Sequence, residues 1–252
     1  EISCSLVGSE MCIRDSRRKL LQSAEQIITH LKSAESGDKN IDDEELIKRA
    51  MQIFSESFDE INGGFSSAPK FPTPHNLLFL MLYAKHKQDS DALKMAEKTL
   101  LQMRKGGIFD HIGYGFSRYS TDKYFLAPHF EKMLYDNALL IIAYSAAYYL
   151  TNNEIYLDTA EKTTEYILRE MTSADGGFYS AQDADSEGVE GKYYTFTLDE
   201  IINVLGEEKG KRFAESFDIT SNGNFEGVNI LNLLKSNDLE SDFSEEIHKL
   251  YD

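Results

Sequence analysis

Apolar residues recur at steps of three and four along most of the chain, which is the spacing of amphipathic helices. The first such stretch follows Asp42-Asp43-Glu44-Glu45, which supplies a helix N-cap and an acidic first turn. The stretch ends at Gly63-Gly64, a typical helix stop. The pattern therefore predicts a one-sided helix whose apolar positions are Leu46, Ile47, Ala50, Met51, Ile53, Phe54, Phe58 and Ile61.

Two later stretches are apolar on every side, at residues 77–84 and in the second half of the 128–150 segment. All-round hydrophobicity predicts helices that are buried on more than one face. Each is followed by a one-sided stretch, at 92–103 and at 155–171. A third, weaker pair begins at Thr197 with a capping box and is interrupted by Gly206. The alternation predicts an all-α fold of helical hairpins in two concentric layers, an α/α toroid, with a short β-hairpin in the loop at 192–196.

Three glycine pairs mark the ends of helical stretches: Gly63-Gly64-Phe65, Gly106-Gly107-Ile108 and Gly176-Gly177-Phe178. Each opens a long loop, whereas the connections between them are short and polar. The long loops are therefore expected at one end of the fold, and that end is the predicted functional face. A helical repeat solenoid is the alternative, but the unequal spacing of the glycine pairs disfavours a regular array.

Composition narrows the possible partners. The 252 residues carry 26 basic and 43 acidic side chains, a formal net charge of −17, which argues against a nucleic-acid partner. The apolar run from Ala138 to Leu150 falls short of the roughly 20 residues that a membrane span needs, so no membrane partner is expected. Residues 1–16 resemble translated sequencing-adapter read-through and are excluded from the fold. Both cysteines, Cys4 and Cys12, lie there, so no disulfide framework is expected, and a cytoplasmic location is our expectation.

The first candidate segment for chemistry is the proline-rich stretch 66–75. It presents Lys70, Phe71 and His75 close to the start of an inner helix. A stiff structural plug is the alternative interpretation of the same residues.

The second candidate segment covers residues 110–137. Pro128 suits the first turn of a helix, which would place His129 at the loop end of that helix. If this segment is helical, Lys132 and Asp136 lie on the same face as His129. Because buried polar groups need partners, such a cluster predicts a polar cavity. An exposed first turn is the alternative. The other candidates here are His111, Phe116, Arg118, Tyr119, Glu131 and Tyr135, of which Glu131 and Tyr135 would share a second face.

The third candidate segment covers residues 180–191, and the candidate Tyr179 directly precedes it. Asp183, Asp185 and Glu187 imitate the first half of an EF-hand loop, but the twelfth position is Tyr194 rather than a bidentate glutamate. We therefore predict no metal. The carboxylates are instead candidates for general acid and base chemistry, which needs two groups whose pKa values differ. The sequence leaves open which pair acts.

Four motifs carry a family resemblance: Gly63-Gly64-Phe65 through Pro72, Arg118 through Asn137, Gly176 through Ser186, and Gly223 through Leu231. In this order they resemble the thioredoxin-domain-containing family typified by spermatogenesis-associated protein twenty and bacterial YyaL-type proteins. The resemblance covers residues 17–252. It implies a thioredoxin-like domain followed by a six-hairpin barrel similar to N-acylglucosamine 2-epimerase and six-hairpin glycosidases. The thioredoxin-like domain and the later hairpins are missing here, so we expect a fragment, an incomplete (α/α)6 toroid.

The resemblance and the polar loop face together suggest a carbohydrate-active enzyme with epimerase-like or glycosidase-like acid/base chemistry. It would bind a small sugar-like molecule and need no cofactor. The alternative is a non-catalytic module that presents clients or metabolites to the thioredoxin-like domain of the full-length protein. The catalytic candidates are His129, Glu131, Asp136, Asp183 and Asp185, and the substrate-binding candidates are Lys70, Phe71, His111, Phe116, Arg118, Tyr119, Tyr135 and Tyr179.

Overall fold

The computed structural model describes residues 17, 19, 21–30, 32, 42–236, 239 and 241–252. The chain divides into two compact units, residues 1–50 and residues 51–252. In the first unit, residues 21–30 are helical. The expected adapter-derived segment 1–16, with both cysteines, lies outside the described residues.

From residue 42 onward the chain is mainly helical, with short strand pairs in the loops. The helices are α1 (Asp43–Ser57), α2 (Pro74–Lys87), α3 (Ser90–Lys105), α4 (Leu134–Thr151), α5 (Glu154–Glu170), α6 (Leu198–Leu205), α7 (Glu207–Ser216) and α8 (Ser244–Tyr251), with a 3-10 turn at Lys192–Tyr194. The strands are β1 (Tyr119–Ser120), β2 (Pro128–His129), β3 (Lys132–Met133), β4 (Ala181–Gln182), β5 (Asp185–Ser186), β6 (Val189–Glu190), β7 (Thr195–Phe196) and β8 (Asn229–Ile230).

Helices α2 to α7 form three hairpins, α2–α3, α4–α5 and α6–α7, and α2 also packs against α4. This confirms the predicted all-α class, with hairpins arranged in two layers as in an α/α toroid. The short connections have a common cause. Gln88 and Asn152 end α2 and α4 in the left-handed conformation, and Asp89 and Asn153 then cap the next helix with their side chains.

The largest apolar core lies among α2, α3, α4 and α5. Leu80 of α2 and Leu140 and Tyr144 of α4 are fully buried in it. The prediction that α4 is buried on more than one face is wrong for this structure. Its buried residues follow a single face, and Ile142 and Tyr149 on the remaining surface are 53% and 71% exposed. A second core, built around Ile201, Phe213, Phe217 and Phe243, joins α6, α7 and α8.

Successive long loops are joined to one another by short backbone ladders. Lys70 and Ser120 exchange two hydrogen bonds, of 2.9 and 2.8 Å. Strand β3 pairs with β4, and β7 pairs with β8. These ladders bring the loops before α2, α4 and α6 together, as the glycine pairs predicted. The expected hairpin within 192–196 is wrong, because β7 pairs with β8, far along the chain, and residues 192–194 form the 3-10 turn.

The glycine pair at 106–107 has a packing reason. A Cβ atom on Gly106 would lie 2.1 Å from the carbonyl oxygen of Phe125, and one on Gly107 would lie 2.2 Å from that of Leu126. The Ile108 N–H also donates to the Phe125 carbonyl at 3.1 Å. Glycine therefore lets two segments of the same loop approach each other closely.

Candidate functional site

Three rings form a stack on the long-loop face. Tyr119 and His129 are paired across β1 and β2, with ring centroids 5.1 Å apart and planes 8° apart. The ring of Phe71 contacts Tyr119, with centroids 4.8 Å apart. Phe71 reaches this position because its neighbour Lys70 pairs with Ser120. The structure therefore joins candidates from the first and second segments in one aromatic surface.

His129, the ring at one end of this stack, lies next to a carboxylate. Its Nε2 atom is 3.8 Å from Oε1 of Glu190, and its Nδ1 atom is buried without a hydrogen-bond partner among the described residues. Glu190 lies on β6, which pairs with β5. Sequence reasoning assigned Glu190 no role, because only the hairpin β5–β6 reveals which carboxylate of that loop reaches His129.

Arg118 and Glu131 form an ion pair beside the stack. Nη1 of Arg118 lies 2.9 Å from Oε2 of Glu131, and the Arg118 N–H donates to the Glu131 carbonyl at 2.7 Å. The Glu131 carboxylate raises the pKa of the Arg118 guanidinium. Tyr135, in the first turn of α4, raises the pKa of Arg118 and lowers that of Asp136.

Asp136 is a carboxylate of this face whose pKa is clearly raised. It lies in the first turn of α4 and is only 9% exposed. Burial raises the pKa of Asp136 to about 6, while Tyr135, Arg118 and His75 oppose the rise. A carboxyl group with such a pKa exchanges its proton near neutral pH, which suits general acid or base catalysis. The structure therefore places Asp136, Arg118, Tyr135 and His75 in one electrostatic cluster.

Pro128 does not open a helix, so that prediction is wrong. Pro128 and His129 form β2, and α4 begins only at Leu134. His129, Lys132 and Asp136 consequently do not share one helical face. The β1–β2 pairing explains the difference, because Thr121 N–H and Oγ1 both donate to the carbonyl of Ala127 and hold residues 120–128 as a hairpin.

Other candidates serve the fold. The Lys70 ammonium is buried and donates to Oδ2 of Asp59 at 2.6 Å and to the Gly63 carbonyl at 2.7 Å. Phe116 is fully buried against Tyr144 and has no face for a ligand. We therefore assign Lys70 and Phe116 to the loop framework rather than to a ligand site.

His111 also belongs to the framework. Its Nε2 atom lies 3.1 Å from the Gly106 carbonyl oxygen, and its Nδ1 atom lies 3.3 Å from Nη1 of Arg104. Burial lowers the pKa of His111 well below its usual value. A neutral imidazole that donates from Nε2 and accepts at Nδ1 satisfies both contacts.

The remaining candidates lie on the exposed part of the loops. Asp183 and Asp185 are exposed, and Oδ1 of Asp183 accepts the Asp185 N–H at 3.2 Å. Asp185 is paired with Glu190 across β5 and β6, so it lies next to the carboxylate that contacts His129. Tyr179 is exposed at the end of the Gly176-Gly177 turn. These side chains can contribute hydrogen bonds or a ring at the margin of the site.

Two further properties concern the described residues only. Among them, no cluster of three or more His, Cys, Asp or Glu side chains is arranged to hold a metal ion. Nor does that part of the chain contain a helix with the length and apolar character required to traverse a bilayer.

No protein-family model matches the chain. Human spermatogenesis-associated protein 20 is 41% identical over 209 residues, which are 77% of this chain and 27% of that protein. An uncharacterized protein of Caenorhabditis elegans is 38% identical over 226 residues, 81% of this chain and 31% of that protein. Among solved structures, cellobiose 2-epimerase from Bacillus thermoamylovorans is similar with a TM-score of 0.49 and 16% identity, covering 69% of this chain and 55% of the other.

The chain thus spans less than a third of the length of the curated relatives it matches. The sequence match to human spermatogenesis-associated protein 20 nevertheless extends over most of the present chain, at an identity that random similarity does not reach over such a length. The chain belongs to the spermatogenesis-associated protein 20 family.

Proposed function

We propose that the long-loop face is a carbohydrate-binding acid/base site of an enzyme with epimerase-like or glycosidase-like chemistry. The observation that carries this proposal is Asp136, a mostly buried carboxyl group whose pKa of about 6 lets it both release and accept a proton near neutral pH. It lies beside Arg118 and Tyr135 on a face that also carries an aromatic stack.

The aromatic stack indicates the chemical class of the ligand. Phe71 and Tyr119 offer apolar ring surface next to polar groups, and an aromatic surface with a few convergent polar groups suits the C–H faces and hydroxyls of a sugar ring. Tyr135 and Tyr179 are exposed and would add ring surface for the ligand. The ligand that fits best is therefore a small sugar-like molecule.

The proposed chemistry assigns proton transfer to Asp136 and His129. Glu190 would pair with the imidazolium that forms when His129 takes a proton. Glu131 holds Arg118 in position, and Arg118 stabilises the ionised form of Asp136. Asp183 and Asp185 would accept hydrogen bonds from sugar hydroxyls at the exposed margin. An epimerase needs two proton-transfer groups, and a glycosidase needs paired carboxyl groups about 5 to 10 Å apart.

The test is turnover of a panel of free sugars and aryl glycosides in D2O. Proton abstraction and return would place deuterium on a ring carbon, which NMR detects, and glycoside cleavage would release the aryl alcohol. We expect Asp136→Asn to lower the rate by ~10² or more, the range that general acid–base catalysis contributes. Asp91→Asn, on the exposed first turn of α3, is the matched control and should leave the rate unchanged.

Two outcomes would decide against this enzyme. If no compound is altered, or if Asp136→Asn reacts as fast as the unchanged chain, the acid/base assignment fails. Binding without any turnover would instead favour a non-catalytic module that presents a small molecule to a partner, such as the thioredoxin-like domain that the family resemblance implies.

A further inference from the structure

A cavity lies apart from Asp136 and the aromatic stack. It has a volume of about 470 Å³, within the range of small-molecule sites. Its apolar lining includes Ile112 and four aromatic side chains, those of Tyr193, Tyr194, Phe196 and Tyr251. The cavity therefore offers aromatic ring surface and room for one small ring-shaped molecule.

The hairpin β5–β6 separates this cavity from the proposed acid/base site. Its Glu190 contacts His129, whereas Ser186 and Glu187 line the cavity. The two sites are consequently neighbours that use different residues of the same hairpin. A ligand in the cavity would not need Asp136 for its contacts.

Asp110 forms a rigid acceptor at the cavity. Its Oδ1 atom accepts the N–H groups of Ile112 and Gly113, both at 2.9 Å, and its Oδ2 atom accepts from Lys132 Nζ at 2.7 Å. Gly113 keeps the approach to this carboxylate open, because a Cβ atom there would lie 2.9 Å from Oδ2 of Asp110 and 3.6 Å from the Tyr251 ring. The absent side chain leaves space between a carboxylate oxygen and an aromatic ring.

Two of the three carboxylates at the cavity are paired with lysines. Lys132 neutralises Asp110, and Lys192 pairs with Glu187. Glu200 accepts from the N–H and the hydroxyl of Thr197, both at 2.7 Å, in the capping box of α6. An anionic ligand would lose water without meeting an unpaired cation, and that costs free energy. A cationic ligand would gain only the solvent-screened charge of the exposed Glu200. A neutral ligand avoids this cost.

We propose that this cavity is a separate binding subsite for a neutral sugar ring. The exposed ring of Tyr193 would contact the C–H face of the sugar, and Oδ2 of Asp110 would accept a hydrogen bond from a hydroxyl group. The hydroxyls of Ser186 and Tyr193 add further hydrogen-bonding groups. This inference goes beyond the proposed acid/base chemistry and does not depend on it.

Saturation-transfer NMR on the full chain tests the subsite. The probe is methyl β-glucopyranoside, with methyl glucuronide as its anionic counterpart and glucosamine as its cationic counterpart. We expect the neutral glycoside to receive saturation most strongly. Gly113→Ala and Tyr193→Ala should each weaken its binding about tenfold, which corresponds to ~1.4 kcal/mol. Tyr149→Ala, on an exposed tyrosine of α4, is the matched control and should bind as the unchanged chain does.

The outcomes separate the two sites. Binding that survives Asp136→Asn but is weakened by Gly113→Ala and Tyr193→Ala supports the subsite, whether or not the chain turns over any sugar. Binding that is lost in Asp136→Asn and kept in both cavity variants would place the sugar only at the acid/base site and overturn the subsite. Absence of binding, or preference for a charged probe, would overturn it as well. A circular dichroism melt of each variant ensures that the comparison is between folded proteins.

Discussion

The side chain of Lys132 is buried between two tyrosine rings and forms an ion pair with Asp110. Its Nζ atom lies 2.7 Å from Oδ2 of Asp110, 2.8 Å from the Tyr114 carbonyl oxygen, and 4.5 and 4.7 Å from the ring centroids of Tyr166 and Tyr194. Burial lowers the pKa of Lys132, and Asp110 opposes that change. Asp110 and Lys132 belong to the same loop before α4, so their ion pair holds two parts of that loop together. The contact between Lys132 and the Tyr194 ring joins this loop to the 3-10 turn.

Removing one partner of this pair should be strongly destabilising. We expect Lys132→Met to lower the free energy of unfolding by about 3 kcal/mol, because Asp110 would remain charged in a mostly buried place. Urea unfolding followed by circular dichroism measures the change. Lys94→Met is the matched control, since Lys94 forms an exposed pair with Asp91, and it should leave the free energy of unfolding nearly unchanged.

A double variant shows whether the pair itself is responsible. Lys132→Met combined with Asp110→Asn should lose at least about 1 kcal/mol less than the sum of the two single variants, because the double variant leaves no buried charge without its partner. Additive losses would mean that Lys132 stabilises the loop through packing alone.

The helical architecture was predictable because it depends on periodicity. Burial on α2 follows the apolar spacing through Leu77, Leu80 and Ala84, and the capping box at Thr197 forms as predicted. Such features are local, so the sequence contains them. The start of α4 was misplaced because Pro128 suits a first helical turn and a short strand equally well, and the pairing with Ser120 decides between them.

The roles within the site were only partly predictable. Lys70, His111 and Phe116 have the residue types of ligand contacts, yet Asp59, Arg104 and Tyr144 engage them inside the fold. Conversely, Glu190 reaches His129 only through a hairpin that periodicity does not reveal. Which polar group finds a partner within the protein is decided by contacts between distant loops, and the linear sequence does not specify those contacts directly.

The raised pKa of Asp136 should be visible both in the titration of its carboxyl group and in the pH dependence of the free energy of unfolding. Burial raises the pKa of Asp136 to about 6, above the usual value of 3.8. The folded state therefore binds more protons than the unfolded state between about pH 4 and pH 6, and the free energy of unfolding should fall as pH rises through that window. The ¹³C resonance of the Asp136 carboxyl group should titrate near pH 6.

Asp136→Asn provides the control for this assignment. The asparagine does not ionise, so the variant should gain stability relative to the unchanged chain as the pH rises, by on the order of 1 kcal/mol after solvent screening. A titration midpoint near pH 4, with equal pH profiles for the two proteins, would contradict the assignment of Asp136 as a buried acid.

The close approach at Gly106 predicts a steric effect. In Gly106→Ala the new Cβ atom would meet the Phe125 carbonyl oxygen at 2.1 Å, so the backbone must move. We expect a loss of about 2 kcal/mol or more in the free energy of unfolding. In Gly177→Ala the Cβ atom would lie 3.5 Å from the Ser173 hydroxyl, an ordinary contact. The melting temperature of Gly106→Ala should therefore be lower than that of Gly177→Ala. Equal melting temperatures would show that the loop around residue 125 can move away at little cost in free energy.

Asn137 should determine how firmly the loop before α4 is attached to that helix. Its Oδ1 atom accepts the Phe116 N–H at 2.7 Å, and its Nδ2 group donates to the carbonyls of Phe116 and Met133 at 3.0 and 2.9 Å. The side chain is fully buried, so Asn137→Ala would leave the Phe116 N–H and carbonyl without their partner, at a cost of about 2 to 4 kcal/mol.

Hydrogen exchange tests this role at the affected amide. We expect the Phe116 amide to exchange at least ~10-fold faster in Asn137→Ala, because its acceptor is gone. The Leu140 amide on α4 should remain protected, since α4 keeps its own backbone hydrogen bonds. Asn137→Asp is the informative comparison, because it keeps the acceptor for Phe116 but loses both donated hydrogen bonds. It should slow exchange at Phe116 relative to the alanine variant, and identical exchange in the two variants would show that the Asn137 acceptor does not hold the loop.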